Sequence, residues 1–139
     1  MGFYDAYKAI FDQFKTVLGT ISSLNGVVVG RVSRPKTLPV AYVYPLESEI
    51  EQANIGETLL NRLNVEVMVV IRETEPEDWF TDIVPIMGEV VDVVLADRSL
   101  AGSAKDVVPT LFSPVEITLM ERLYYGGVIR FQVQYFYTP

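Results

Sequence analysis

Residues 63–72 read LNVEVMVVIR. Every odd-numbered position in this stretch is aliphatic, which is the period-two pattern of a β-strand that buries one face. Met68 and Val70 make the even-numbered face half apolar as well, so we expect that face also to be covered. The stretch predicts the clearest strand in the chain.

Two stretches, one on each side of this strand, show the three- and four-residue spacing of an amphipathic helix. The first covers residues 5–22, with Asp5 as the expected cap. The second covers residues 83–95, with Asp82 as the expected cap and Pro85 in the first turn, where backbone donors have no intrahelical partner. Both helices are expected to pack on a core, and binding of a partner is the alternative for the first.

Residues between the first helix and the alternating strand supply two further strands and a loop. The runs Val27–Val32 and Leu38–Tyr44 predict two strands joined by a polar turn, and Pro39 indicates an edge position or a strand start. Leu46–Glu57 contains four glutamates and no periodic apolar face. We interpret it as a long, exposed and mobile loop.

After the second helix, Asp97–Gly102 is typical of a turn. The segment Ala104–Val108, followed by Pro109 and Pro114, is expected to supply at most short extended pieces.

The C-terminal region alternates again and predicts a hairpin. Its two strands are Val115–Leu119 and Ile129–Tyr137. A three-residue loop at Tyr125–Gly127 would place Leu119 beside Val133 and keep both apolar sets on one face.

This order of elements predicts an α+β fold, with a mainly antiparallel sheet of about four to five strands and two helices packed on one face. The 139 residues, half of them hydrophobic, suit one domain that spans residues 1–139. No stretch approaches the length of a membrane span, and the first residues do not resemble a secretory signal. We therefore expect a protein made in the cytoplasm, with no membrane partner.

The composition excludes several kinds of chemistry. The chain has no cysteine and no histidine, so it lacks thiolate nucleophiles, serine–histidine triads and the usual zinc ligands. It also lacks a glycine-rich phosphate loop. We expect no catalytic residue, no metal site and no cofactor.

Two features leave alternatives open. Glu73, Glu75, Glu77, Asp78 and Asp82 could serve a carboxylate-dependent metal enzyme, although a solvated acidic turn explains them more simply. Trp79 and Phe80 could mark a small-ligand or peptide pocket, but aromatic residues at the start of an apolar helix more often pack on the sheet.

Charge is segregated along the chain. Residues 13–46 carry Lys15, Arg31, Arg34 and Lys36 and no acid, whereas residues 47–97 carry thirteen acids against two arginines. If this separation survives folding, it suits head-to-tail contact between copies, which closes into rings or grows into filaments. Charges that mix in space are the alternative. An isoelectric point near 4.5 opposes binding of DNA or RNA.

With these elements the chain resembles the tail terminator, or tail completion, family of long-tailed phages and related archaeal viruses. The resemblance in element order covers nearly the full length. It rests on the initial helix, the basic turn within Arg31–Val40, the alternating strand Leu63–Arg72, the Asp-x-x-Leu-x-Gly turn at Asp97–Gly102 and the Phe-x-Val-x-Tyr strand at Phe131–Tyr135.

The resemblance implies a non-enzymatic virion protein that forms a ring, typically a hexamer, on the tail tube and joins it to the head–neck connector. Such a protein is assembled in the host cytoplasm and resides in the virion tail, and DNA would pass through its channel without specific binding. A head-closure or neck protein is the close alternative. The expected contacts with a neighbouring subunit or the tail tube protein involve Arg31, Arg34, Lys36, Glu47, Glu49, Glu51 and Glu57.

Overall fold

The computed structural model describes residues 2–30, 37–53, 56–71, 76–119 and 121–139. The described residues form three α-helices and five strands, with a 3-10 turn at Pro76–Asp78. In chain order the elements are α1 (Phe3–Leu18), β1 (Gly26–Val29), β2 (Val40–Gln52), β3 (Leu59–Ile71), α2 (Trp79–Asp82), α3 (Val84–Leu95), β4 (Asp106–Leu119) and β5 (Arg122–Tyr137).

The strands form one sheet in the order β1-β2-β3-β5-β4. β1 is parallel to β2, and the other three neighbouring pairs are antiparallel. The alternating stretch of the sequence lies in β3, the central strand. The predicted α+β class with a mainly antiparallel sheet and two main helices is confirmed.

Both faces of β3 are covered, as its composition predicts. α1 and α3 pack on one face, here called the helix face, where Val65, Val67 and Val69 are fully buried. On the opposite side, here called the outer face, Met68 and Val70 are buried in a second apolar cluster. That cluster consists of Val40, Tyr42, Tyr44, Met68, Val70, Ile117 and Leu119.

The first helix begins earlier than its apolar pattern suggests. Gly2 is the N-cap, and the Asp5 carboxylate accepts a hydrogen bond from the Gly2 N–H at 3.0 Å, so Asp5 stabilises the first turn from inside the helix. The helix ends at Leu18, before the expected end at residue 22, because Gly19 forms the C-cap.

The second predicted helix corresponds to α3, with Pro85 in the first turn as expected. Its N-cap is Ile83 and not Asp82. Asp82 belongs to α2, whose Trp79 carbonyl accepts a hydrogen bond from the Ile83 N–H at 3.0 Å. The two short helices therefore follow each other directly.

The two strands expected at Val27–Val32 and Leu38–Tyr44 do pair, but in parallel. Gly26–Val29 lies beside Val40–Val43, and Pro39 directly precedes the start of β2. The polar turn predicted to join them falls mostly on residues 31–36. Residues 31–36 lie outside the described residues.

The prediction of a loop over Leu46–Glu57 is wrong. β2 continues to Gln52 and pairs with β3 as far as Leu59, after a bulge between Pro45 and Ser48. The sequence pattern does not reveal this strand because residues 49–52 are exposed on both faces and show no apolar alternation. Pairing with β3 outweighs the weak strand propensity of glutamate.

The short extended pieces expected around Ala104–Val108 are part of the fourteen-residue strand β4. Pro109 and Pro114 both lie within it. A proline at a sheet edge can face its missing N–H away from the neighbouring strand, so neither residue ends the strand. A bulge at Pro109–Leu111 absorbs the local irregularity.

The predicted hairpin turn at Tyr125–Gly127 is also wrong. Gly126 and Gly127 lie inside β5, where they pair with Val70 and Val69 of β3. The chain reverses between Leu119 and Arg122, so Val133 pairs with Val107 and not with Leu119. The glycines satisfy a packing requirement and do not form a turn.

Candidate assembly interface

The structure places three of the four predicted acidic residues along one strand. Glu47, Glu49 and Glu51 are exposed on the second half of β2, and Glu57 is exposed in the turn that leads to β3. The basic residues predicted to meet such acids, Arg31, Arg34 and Lys36, lie outside the described residues. The structure therefore describes only the acidic half of the predicted contact.

Two of these glutamates lie on the outer face. Glu49 pairs in register with Arg62, and the Glu51 carboxylate lies 2.9 Å from the Arg62 guanidinium. A hydrogen bond and the charge of Glu51, together with the charge of Glu49, raise the pKa of Arg62. Among the described cations, none lies within salt-bridge distance of Glu47 or Glu49.

The edge of β2 that points away from β3 is only partly covered. β1 pairs with Val40–Val43 alone, and the Gly30 N–H donates to the Val43 carbonyl at 2.7 Å. From Pro45 to Gln52, no strand in the described parts of the chain lies beside this edge, which we call the free edge of β2. It holds Ile50, whose exposed fraction is 53%.

The centre of the outer face carries a partly buried polar cluster. The Tyr44 hydroxyl donates to the Glu66 carboxylate, and the Arg130 guanidinium lies 3.2 Å from the same carboxylate. The Glu66 side chain is 13% exposed. The alternating pattern around residue 66 indicated its face but not its partners, because Arg130 lies 64 residues away in the sequence. This cluster marks the boundary between the buried and the exposed halves of the outer face.

Under the first turns of α1, the helix face contains a buried polar pair. Asn61 and Tyr135 are register partners on β3 and β5, and the exposed fraction of Asn61 is 0%. Neither the Asn61 amide atoms nor the Tyr135 hydroxyl has a hydrogen-bond partner among the described residues. Burial, and secondarily the nearby Tyr7 phenol, raises the pKa of Tyr135 to about 12. A periodic strand pattern does not distinguish this asparagine from an exposed one.

The acidic residues proposed as an alternative metal site are only partly described. Glu73 and Glu75 lie outside the described residues, and within the described ones no group of three or more acidic side chains is arranged to hold a metal ion.

The two aromatic residues next to them have different environments. Trp79 contacts the edge of the Tyr125 ring at a centroid distance of 5.6 Å, as a core-packing residue would. Phe80 is 77% exposed, so the expectation that it packs on the sheet is wrong. The short helix α2 presents only one of its two aromatic side chains to the sheet.

Comparisons with known proteins do not assign a family. No model of a known protein family matches the chain, and no curated protein matches it. Among the described helices, none is both long and apolar enough to cross a membrane.

Proposed function

We propose that this chain is a ring-forming virion protein that acts as a phage tail terminator. In this role, copies of the chain form a ring, expected to be hexameric, at the head-proximal end of the tail tube. The ring stops growth of the tube and presents a surface to the head–neck connector. No step of this function requires catalysis.

The observation that carries the proposal is the row of acidic side chains on an uncovered sheet edge. Glu47, Glu49 and Glu51 follow one another along β2, while residues 13–46 of the same chain carry four positive charges and no negative one. A surface with one sign of charge, on a chain with a separate segment of the opposite sign, favours contact between unlike patches of two copies. Such a heterologous contact generates a ring when its rotation closes.

Element order supports the same function. The chain presents the initial helix, the alternating central strand, the turn at Asp97–Gly102 and the closing strand in the order that the tail terminator resemblance implies. The acidic character of the chain also suits a channel that DNA traverses without adhering, because like charges repel.

Native mass spectrometry and negative-stain electron microscopy test the proposal directly. We expect hexamers with six-fold symmetry at high protein concentration or after addition of the tail tube protein. A strict monomer under both conditions would contradict the proposed function.

A charge-reversal variant tests whether the basic segment takes part. Arg34→Glu is expected to lower the fraction of rings while leaving the melting temperature nearly unchanged. Lys105→Glu, at an exposed position beside β4, makes the same change in net charge and is the matched control. Equal loss of rings in both variants would show that only total charge matters.

A further inference from the structure

We propose that the free edge of β2, residues 45–52, binds an extended, positively charged segment of a neighbouring polypeptide chain as an added strand. This inference rests on the proposed assembly function and names the surface and the chemistry of the contact. In a ring, the neighbouring chain is another copy.

The backbone provides the first argument. A sheet edge presents unpaired N–H and C=O groups, which are a template for pairing with another chain. Residues 46–52 form a run of seven without proline, enough for a strand of ordinary length. Backbone pairing at this edge would extend the sheet beyond the short strand β1.

The other described edges are poorer templates. Pro109 and Pro114 divide β4 into runs of three, four and five residues without proline, and a bulge interrupts it. β1 offers only the four residues Gly26–Val29. β2 and β4 each contain one bulge, and among the edges of the described strands the free edge of β2 offers the longest run without proline.

Charge provides the second argument and selects the partner. Of the three glutamates on this edge, only Glu51 forms a salt bridge with a described cation, Arg62. The other two are Glu47 and Glu49. Two copies of this edge would repel each other, because like charges on neighbouring strands are destabilising. A segment carrying lysine or arginine has the complementary charge and can use the same backbone groups.

The exposed side chain of Ile50 provides a third argument. Ile50 pairs in register with Asn61, so both residues lie on the helix face. About half of the surface of Ile50 is exposed beside the free edge. An added strand would cover part of this apolar surface. The edge thus combines backbone groups, an apolar contact and charge in one strand.

The test uses the full chain and a soluble heptapeptide of alternating lysine and threonine. In an NMR titration we expect chemical-shift changes and slowed amide exchange confined to residues 45–52 and their neighbours on β3. A heptapeptide with glutamate in place of lysine is expected not to bind. Changes centred on β4, or equal binding of the acidic peptide, would overturn the proposal.

A peptide N-methylated at alternate residues separates strand pairing from simple attraction of charges. It keeps every positive charge but cannot donate the backbone hydrogen bonds of an added strand. We expect its binding to fall at least about tenfold, as loss of several such bonds implies. Unchanged binding would refute the added strand even if the charges attract.

A protein variant tests the acidic side chains. Glu49→Lys is expected to weaken binding of the basic peptide about fivefold, the effect of exposed charges. Glu116→Lys, at an exposed site on β4, is the matched control and should bind like the wild type. Equal affinity of all three proteins would refute the charge argument, and the two peptides still decide the matter if Glu49→Lys fails to fold.

The strand-pairing proposal and the proposed ring function can be refuted independently. If rings form and Glu49→Lys leaves them intact, the proposed function stands and this edge is not the contact. If the basic peptide binds the edge but no rings form with or without tube protein, the strand-pairing site stands and the proposed function does not.

Discussion

Replacement of Gly126 with alanine should lower the free energy of unfolding by about 3 kcal/mol. A Cβ atom at this position would overlap the carbonyl oxygen of Val69 and lie 3.0 Å from Cδ1 of Ile117. Because the overlapping oxygen belongs to the backbone of the central strand, no change of side-chain rotamer can relieve the overlap. β3 and β5 would have to separate locally.

The magnitude follows from two costs. Forcing a methyl group into a packed site costs about 1–3 kcal/mol. Separation of the strands also weakens one or two ladder hydrogen bonds, each worth about 1 kcal/mol net. For a chain of this length, a loss of about 3 kcal/mol corresponds to a melting temperature lower by roughly 10 °C.

Urea denaturation and calorimetry measure the effect, and Gly88→Ala in α3 is the control. Apart from the adjoining residues and the backbone of its own helix, no atom of the described residues lies within 4 Å of a Cβ at Gly88, so alanine there should stabilise the helix by about 0.5–1 kcal/mol. The two substitutions are chemically identical and have opposite expected signs. A Gly126→Ala protein within about 0.5 kcal/mol of the wild type would refute the strand assignment, because a surface turn tolerates such a change.

Three other substitutions test individual features. Asn61→Val should raise the free energy of unfolding by about 1–2 kcal/mol in urea denaturation, since it removes buried polar atoms that have no partner among the described residues; a clear loss would indicate that a bound water satisfies them. Burial raises the pKa of Tyr135 to about 12 in the folded chain, compared with about 10 in the unfolded chain. Its contribution to the free energy of unfolding is therefore complete below pH 10 and is lost as the pH rises to 12. Tyr135→Phe should therefore make stability fall less steeply between pH 10 and 12, and an unchanged slope would contradict this. Arg98→Ala removes a bidentate contact with Asp106 at 2.7 and 2.8 Å, but both side chains are exposed, so calorimetry should show a loss below about 1 kcal/mol.

The sequence predicts the central strand and the two main helices because their periodicity reports directly which face is buried. Val65, Val67 and Val69 lie under the helices, and Met68 and Val70 are covered on the outer face, as the composition of each face indicates. In these elements the local pattern and the tertiary packing agree.

The hairpin turn was assigned wrongly because a pair of glycines occurs both in turns and at places where two backbones approach closely. A pair of glycines is a common turn signal, but Gly126 and Gly127 are needed for the close approach of Val69 and of the Met87 side chain. That requirement depends on residues about 40 to 60 positions earlier in the sequence. No window of neighbouring residues contains it.

The charge pattern of the sequence suggests residues for the candidate interface but not their arrangement. The residues Glu47, Glu49 and Glu51 were identified from their charge, but their arrangement along a strand depends on pairing with β3. The bulge between Pro45 and Ser48 shifts the register by one residue and sets which side chains share a face with Arg62. Charge counting supplies the residue types, and pairing supplies their geometry.

The acidic residues of the chain differ in the contacts that they make. Asp97 accepts hydrogen bonds from the Ser99 hydroxyl and from the backbone N–H groups of Ala101 and Ser99 in the turn after α3, and these contacts lower its pKa. Glu66 is engaged by Arg130 inside the sheet, and Glu51 by Arg62. The arginines offset the charges of Glu66 and Glu51, whereas the hydrogen bonds of Asp97 hold its carboxylate in the turn without neutralising it. The assembly hypothesis therefore centres on Glu47 and Glu49, which form no salt bridge with a described cation and lie on the longest proline-free edge among the described strands. A contact there must satisfy backbone groups and charges together, and for this reason a flexible basic chain without strand geometry should bind it weakly.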